Sequence, residues 1–288
     1  MATAKEIKLR INSIKTTKQI TSAMKLVSAA KLRKAQKDIW QIRPYANKFE
    51  EILKNVSSSL SSYNNPFFEQ REVEKVLIIA ISSNKGLCGA FNNNIAKKVI
   101  DLLNEKYLGK QVDLLIIGKK AGEILEHKGY KIYKNFNYVL NKKRVSYNEV
   151  SEIAQELLDY YVENKYDLIE IVYNKFKNAA VQIIAEEQFL PLEKTEDDSI
   201  SDYIFEPDKE YIVSYIIPKV LKVKFYKAFL DSLAAEHGAR MTAMHKATDN
   251  ANELLKEFIL QYNKARQASI TNQILEISSG AEALKNDS

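Results

Sequence analysis

Two long stretches at opposite ends of the chain carry apolar residues at alternating spacings of three and four. In the first, the repeating positions are Ala35, Ile39, Ile42, Ala46, Phe49, Leu53, Val56 and Leu60. In the second, they are Leu230, Leu233, His237, Arg240, Met244, Ala247, Ala251, Leu254 and Phe258. An apolar stripe that returns every 3.5 residues lets two α-helices wind around each other. The pattern therefore predicts that the two ends of the chain pair as a coiled coil, with Leu254 buried in the contact.

The stripe of the N-terminal stretch is expected to change phase before Ala35. One series of apolar residues begins at Ile7 and continues with Ile11 and Ile14, and a second consists of Ile20, Met24 and Val27. Changes of phase locally alter the winding of a coiled coil. Pro44 stands inside the regular part, where proline removes one helical hydrogen bond. We expect a bend there and not an end, because the stripe keeps its phase across the proline.

Strand and helix signals alternate between the two terminal stretches. Apolar runs predict strands at 76–82, 112–117, 129–133, 167–176 and 181–189, and helical spacing predicts helices at 92–107, 119–127 and 147–163. Apolar strands separated by helices are typical of a largely parallel sheet covered on both faces. The predicted fold class is α/β with long terminal helices: a coiled-coil helix at 1–65, a Rossmann-like α/β domain at 72–208, and a second coiled-coil helix at 209–288.

Composition excludes several classes of protein. With 45% apolar and 28% charged residues, the chain of 288 residues is that of a folded protein and not a disordered one. Its apolar runs are too short to cross a bilayer. A single cysteine, Cys88, excludes an internal disulfide framework and suits a reducing compartment. The first twelve residues show no signal peptide, and we expect none.

Positive charge is concentrated near the N-terminus. Residues 1–60 hold thirteen lysines and arginines against four acids, a net charge of +9, whereas the whole chain carries +6. A basic helix attracts an acidic partner, which can be nucleic acid, anionic lipid or an acidic protein surface. A solvated helix face that keeps the protein soluble explains the same charge.

The loop Ser82–Asn92 follows a predicted strand and opens a helix, the position at which glycines can cradle a phosphate. It matches neither the Walker A pattern nor GxGxxG, and neither string occurs elsewhere in the chain. A turn between strand and helix is the simpler use of its glycines. Cys88 in this loop could be a nucleophile only beside a histidine base, and a buried structural cysteine is the simpler interpretation. No HExxH pattern or other metal-ligand spacing is present, so we expect neither catalytic residues nor a metal or cofactor site.

Three stretches carry a resemblance to a known family. They are ITSAMKLVSAAKLRKAQ at 20–36 with RPYA at 43–46, the loop SSNKGLCGAFN at 82–92, and ARMTAMHKATDNA at 239–251 with NKARQASIT at 263–271. In this order they resemble the γ subunits of F-type ATP synthases, and the likeness covers the chain nearly end to end.

The resemblance implies a fold and a function. In the family, the two terminal helices form an antiparallel coiled coil, the central stalk inside a ring of three α and three β subunits. The α/β domain contacts the ε subunit and the ring of c subunits. Ion flow turns the c ring, and the stalk turns with it and changes the conformations of the β subunits. The resemblance implies no nucleotide, nucleic acid or cofactor bound to this chain. It also implies a peripheral location on the cytoplasmic face of a bacterial inner membrane, reached only through the complex.

The resemblance also implies contact residues. Met24 and Lys25 match the helix segment that meets an acidic loop of β. The other implied partner contacts are Arg240, Asp249, Arg266, Gln267 and Thr271 on the C-terminal helix, and Phe205 and Glu206 near the c ring and ε. Gln273 stands where some relatives carry a carboxylate, and the polar tail Lys285–Ser288 extends past the usual apolar end.

Two other hypotheses remain open at this stage. One is a coiled-coil adaptor that binds nucleic acid through its basic helix, for which binding would weaken steeply with salt. The other is an α/β enzyme that depends on the Cys88 thiol.

Overall fold

The computed structural model describes residues 4–59, 66–141, 145–192 and 215–286. The helices are α1 (Ala4–Ser59), α2 (Phe91–Asp101), α3 (Lys119–His127), α4 (Tyr147–Val162) and α5 (Ile217–Asn286). The strands are β1 (Lys75–Ile81), β2 (Gln111–Ile117), β3 (Lys134–Asn135), β4 (Leu168–Phe176) and β5 (Gln182–Leu190). Short 3₁₀ turns lie at Pro66–Phe68 and Asn137–Asn141, and a π-helical turn at Leu102–Lys106 follows α2.

The chain divides into two compact units. The first unit contains Met1–Val27 with Ala243–Ser288, and the second contains Ser28–Thr242. Helices α1 and α5 contribute residues to both units. The predicted domain limits at 65, 208 and 209 lie outside the described residues and stay predictions.

The sheet of the second unit has the strand order β3-β2-β1-β4-β5. β1 pairs in parallel with both β2 and β4, β3 pairs in parallel with β2, and β5 runs antiparallel to β4. One face packs against α4 and the first turns of α5, through residues such as Leu157 and Phe229. The other face packs against α2 and α3, through residues such as Ile95 and Leu125. The prediction of a largely parallel sheet covered on both faces is confirmed.

The strand predicted at 129–133 is wrong, because the third strand is the short pair Lys134–Asn135. Gly129 has a φ of 88°, and its N–H donates to the carbonyl of Glu126. A left-handed glycine just after a helix is a common way to end it. The turn that ends α3 therefore occupies the first residues that the apolar pattern had assigned to the strand.

Helix α1 contains no change of phase. Along one face of the helix, buried or half-buried residues recur at Ile7, Ile11, Ile14, Lys18, Thr21, Lys25, Ser28, Leu32, Ala35, Ile39, Ile42, Ala46 and Phe49. These positions alternate by four and three throughout, so the change of phase predicted at Ile20, Met24 and Val27 is wrong, although Met24 is half-buried. The side chains of Ile20 and Val27 are more than half exposed. Small and polar side chains such as Thr21 and Ser28 hold the contact positions instead, and hydrophobicity alone does not identify them. Helix α1 continues through Pro44, as predicted.

The contact face of α5 differs by one residue from the predicted stripe at four positions. Ala234 and Met241 pack in the apolar cluster with α1, Thr248 bonds to Thr21, and Leu255 is more buried than Leu254. These four residues take the places assigned to Leu233, Arg240, Ala247 and Leu254. The prediction that Leu254 is buried is wrong, because its side chain is 45% exposed. We call the contact positions of α1 and α5 together the helix seam.

The seam pairs the two terminal helices in antiparallel orientation. In the first unit, the Thr248 hydroxyl donates to that of Thr21 at 2.8 Å, and the Arg10 guanidinium lies 6.0 Å from the Phe258 ring centre. In the second unit, Leu32, Ala35 and Ile39 of α1 form one apolar cluster with Leu230 and Ala234 of α5. The predicted pairing of the chain ends is confirmed, although four of the nine contact positions predicted on α5 lie one residue away from the observed ones.

Gly118, which links β2 to α3, is the glycine with the least space for a side chain. Its φ is 100°, and a Cβ there would lie 2.3 Å from the carbonyl oxygen of Ser82. We expect Gly118→Ala to lower the free energy of unfolding by about 2–3 kcal/mol, since backbone strain and a backbone clash act together. Gly109→Ala is the matched control: its φ is 82°, but nothing lies within 4 Å of the added Cβ. Urea unfolding of both variants measures the difference, and equal losses would contradict the clash.

Candidate partner surfaces and the loop after strand β1

The loop after β1 is held in shape by its own polar side chains. The Ser83 N–H donates to Asn92 Oδ1 at 3.1 Å, and the Ser83 hydroxyl donates to the Lys85 carbonyl at 2.8 Å. Leu87 and Gly89 both have φ near 60°. These bonds fold the segment into a compact turn, which agrees with the simpler interpretation of its glycines.

Arg240 of α5 joins this loop to the C-terminal helix. Its guanidinium donates to the carbonyl oxygens of Lys85 at 2.7 Å and Gly86 at 3.1 Å, and to Glu236 Oε1 at 2.7 Å. Arg240 and Glu236 are each only 8% exposed. The loop therefore turns carbonyl oxygens toward a buried cation of its own chain, and this part of it offers acceptors where a phosphate would need donors.

Cys88 is a structural residue of the same loop. It is 2% exposed, and its Sγ accepts a hydrogen bond from Asn92 Nδ2 at 3.2 Å. Burial raises the pKa of the Cys88 thiol, against smaller opposing effects of the Ser83 hydrogen bond and the Arg240 charge. The thiolate needed for nucleophilic chemistry is therefore disfavoured.

A thiol reagent tests the state of Cys88 directly. We expect the native chain to react with an aromatic disulfide reagent at least about a hundredfold more slowly than the urea-unfolded chain, because the native thiol is both buried and protonated. The Cys88→Ser variant gives the background rate. Equal rates for native and unfolded chains would show that the thiol is accessible.

The described residues form neither a metal site nor a membrane-spanning helix. None of their histidine, cysteine and carboxylate side chains forms a group of three or more that could hold a metal ion. None of the described helices is long and apolar enough to cross a bilayer.

Three of the predicted contact residues lie together in the first unit. Met24 is half-buried, and Lys25 Nζ lies 3.4 Å from His245 Nδ1. The same His245 nitrogen lies 3.3 Å from Asp249 Oδ2. His245 Nδ1 thus lies close to both Lys25 of α1 and Asp249 of α5, and its tautomer decides whether it accepts from the lysine or donates to the carboxylate, a position that the sequence did not single out. The spacing of four between His245 and Asp249 was the signal that could have found it.

The predicted residues Arg266, Gln267 and Thr271 lie on an exposed part of α5. The Thr271 hydroxyl donates to the Gln267 carbonyl at 3.0 Å. Every described side chain from Arg266 to Ala281 is exposed. The large apolar ones among them are Ile270, Ile274, Leu275 and Ile277. An exposed apolar surface of this kind is typical of an interaction site.

Arg240 is buried, whereas the other predicted contact residues on α5 are exposed. Phe205 and Glu206 lie outside the described residues. The partner contacts of all these residues stay predictions.

Comparison with known proteins decides the family. A family model described as ATP synthase matches residues 3–284. An ATP synthase gamma chain from Flavobacterium psychrophilum is 55% identical to this chain over 289 residues, covering 99% of this chain and 100% of the relative. A gamma chain from Geobacter metallireducens is 42% identical, with the same coverage. The chain belongs to the ATP synthase gamma chain family. The resemblance drawn from the three sequence stretches is confirmed.

Solved structures with the same fold include ATP synthase central stalks. A chain of the central stalk and c ring of the Tetrahymena thermophila mitochondrial ATP synthase matches with a TM-score of 0.63 and 25% identity, covering 79% of this chain and 99% of that one. A chain from the OSCP/F1/c-ring structure of the Euglena gracilis enzyme matches with a TM-score of 0.68 and 21% identity, covering 98% and 94%. The second likeness concerns the fold alone. Chains of solved ATP synthase structures thus share the fold described above.

Proposed function

We propose that this chain is the rotating central-stalk subunit of an F1Fo ATP synthase. In this role it couples ion flow through the membrane c ring to conformational change at the catalytic β subunits, and it performs no catalysis itself. The observation that carries the proposal is the match to gamma chains over 99% of the chain. The family assignment favours this function over the adaptor and thiol-enzyme hypotheses.

The helix seam supports the proposal physically. A shaft must transmit twist along its length, which requires helices that do not slide past each other. The alternating seam positions supply interlocking contacts over most of α1. The bonds of Arg240 to the loop after β1 support the same role, because they fix α5 to the loop at the carboxyl end of this central strand. A force applied to the α/β part of the second unit is thereby passed to α5.

The exposed end of α5 supports the proposed position inside a ring of α and β subunits. Apolar residues such as Ile274 and Ile277 would make contacts with few directional bonds, which suits a surface that must turn against its partners. An asymmetric axle in a three-fold collar favours a different conformation in each β subunit.

The remaining partner contacts belong to the same proposal. Met24 and Lys25 would meet an acidic loop of β, where basic neighbours favour the encounter. Asp249 would be a contact in the more basal part of α5. Arg266, Gln267 and Thr271 would contact a second part of β. A contact of Arg240 with a partner would require its guanidinium to leave Glu236, so we propose a positioning role for it. Phe205 and Glu206 would approach ε and the c ring. The complex would hold the chain at the cytoplasmic face of a bacterial inner membrane.

Purification tests the proposed function. A tagged copy of the chain expressed in its own organism should co-purify with the α, β and ε subunits, and with the c ring when mild detergent is used. Three copies each of α and β are expected for each copy of this chain. Gly109→Ala is a control variant that should assemble normally. Recovery of the chain alone, or with nucleic acid in a salt-sensitive complex, would contradict the proposal.

A further inference from the structure

A cavity of about 420 Å³ opens in the second unit, between α1, α5, the loop after β1 and the turn Asn137–Asn141. Part of its wall is apolar and is formed by Leu140, Val145, Leu230 and Leu233. The volume lies in the range of sites that hold small organic molecules. None of the gamma-chain contacts proposed above uses this space as a ligand site.

Cationic groups outnumber anionic ones around the cavity. Arg240 and Glu236 are paired at 2.7 Å and largely compensate each other. Among the described residues that line the cavity, Lys31, Lys34 and Lys85 then stand against the carboxylate of Asp38. All three lysines are exposed at the rim, so their ammonium groups can reach a ligand without first being dehydrated. Such a rim favours an anion.

His237 provides a buried polar group in the cavity wall. The residue lines the cavity and is only 7% exposed, and its Nδ1 is enclosed by protein with no hydrogen-bond partner among the described residues. Buried polar atoms normally have a partner, and an exception calls for an explanation. Burial, and then the charges of Arg240 and Lys31, lower the pKa of His237 to about 3. The imidazole is therefore neutral near pH 7 and has one N–H to donate.

We propose that this cavity binds a small organic phosphate, with its apolar part against the leucines and its phosphate among Lys31, Lys34 and Lys85. His237 would form part of the wall beside the ligand. A phosphate suits the site because it is a compact anion with several acceptor oxygens for lysine ammonium groups. The apolar wall distinguishes the site from a surface that attracts any anion. An acidic peptide segment is the competing occupant, but its extended backbone suits the apolar wall less well.

Calorimetric titration of the isolated full chain tests the proposal with phenyl phosphate as the ligand. Phenyl phosphate carries both the charge and the apolar body, inorganic phosphate carries the charge alone, and benzyl alcohol carries the body alone. We expect phenyl phosphate to bind at least about tenfold more tightly than either of the others. Equal binding of inorganic phosphate, or no binding of phenyl phosphate, would overturn the proposal. Tighter binding of a hexaglutamate peptide would do so as well, since it would assign the lysines to a protein partner.

Two variants and a control locate the binding. Lys31→Gln/Lys34→Gln removes exposed side chains and should leave the thermal unfolding temperature unchanged while weakening phenyl phosphate about tenfold or more. Lys110 is an exposed lysine just before β2, and Lys110→Gln should leave the affinity for phenyl phosphate unchanged. The ring NMR signals of His237 should move on titration, and its pKa should rise in the complex, because a bound anion favours the imidazolium. Unchanged affinity in the double variant, or unmoved His237 signals, would contradict the assignment.

Discussion

Replacing Leu230 by aspartate is expected to lower the free energy of unfolding by at least about 4 kcal/mol, because the change both opens a cavity and buries a charge. Leu230 is 1% exposed and lies in the cluster with Leu32, Ala35 and Ile39 of α1. The loss should shrink as the pH falls, since burial raises the pKa of the new carboxyl and protonation removes its charge.

Leu254→Asp is the matched control for this experiment. It makes the same chemical change on the same helix, but the Leu254 side chain is 45% exposed. We expect a loss below about 1 kcal/mol for the isolated chain, in the range of ordinary surface substitutions. Urea unfolding of both variants gives the comparison. Similar losses at the two positions would show that the helix seam has been assigned to the wrong residues.

Arg240→Ala is expected to cost about 3–5 kcal/mol, because it leaves the buried carboxylate of Glu236 without its partner. The carbonyl oxygens of Lys85 and Gly86 each lose the hydrogen bond from Arg240 as well. In assembled complexes, ATP-driven ion pumping should fall further than ATP hydrolysis, since the loop after β1 would no longer be fixed to α5. Equilibrium unfolding and a pumping assay in membrane vesicles measure the two effects.

Two control variants show whether the loss of stability comes from breaking the buried ion pair or from removing a positive charge in general. Arg33→Ala removes an exposed arginine from α1 and should change the stability by less than about 0.5 kcal/mol. The double variant Glu236→Leu/Arg240→Met should recover most of the loss, because apolar residues of similar volume can replace a buried ion pair. A double variant less stable than Arg240→Ala would contradict the assignment of the loss to an unpaired carboxylate.

The sequence predicted which elements form, but not the register of the seam. Leu254 and Leu255 are adjacent and chemically identical, so the choice between them depends on which side of α5 faces α1. The polar members Thr21 and Ser28 are buried by this pairing and not by hydrophobicity. An apolar pattern therefore located the paired helices while placing four contact positions one residue away.

The link between Arg240 and the loop after β1 was beyond a pattern-based prediction. The bonded residues are 154 and 155 positions apart, and no local spacing connects them. The glycines drew attention to the loop, and the family resemblance drew attention to Arg240, but neither observation connected the two. The cavity beside His237 was hidden for the same reason, because it is lined by segments from four separate parts of the chain.

Rotation of single complexes tests the central claim most directly. A Cys88→Ser/Lys110→Cys variant places one exposed thiol on the α/β part for attachment of a bead, with the α and β subunits fixed to a surface. The account predicts that ATP drives the bead in one direction with three equal steps in each turn. A bead that stays still while the same complexes hydrolyse ATP would contradict it.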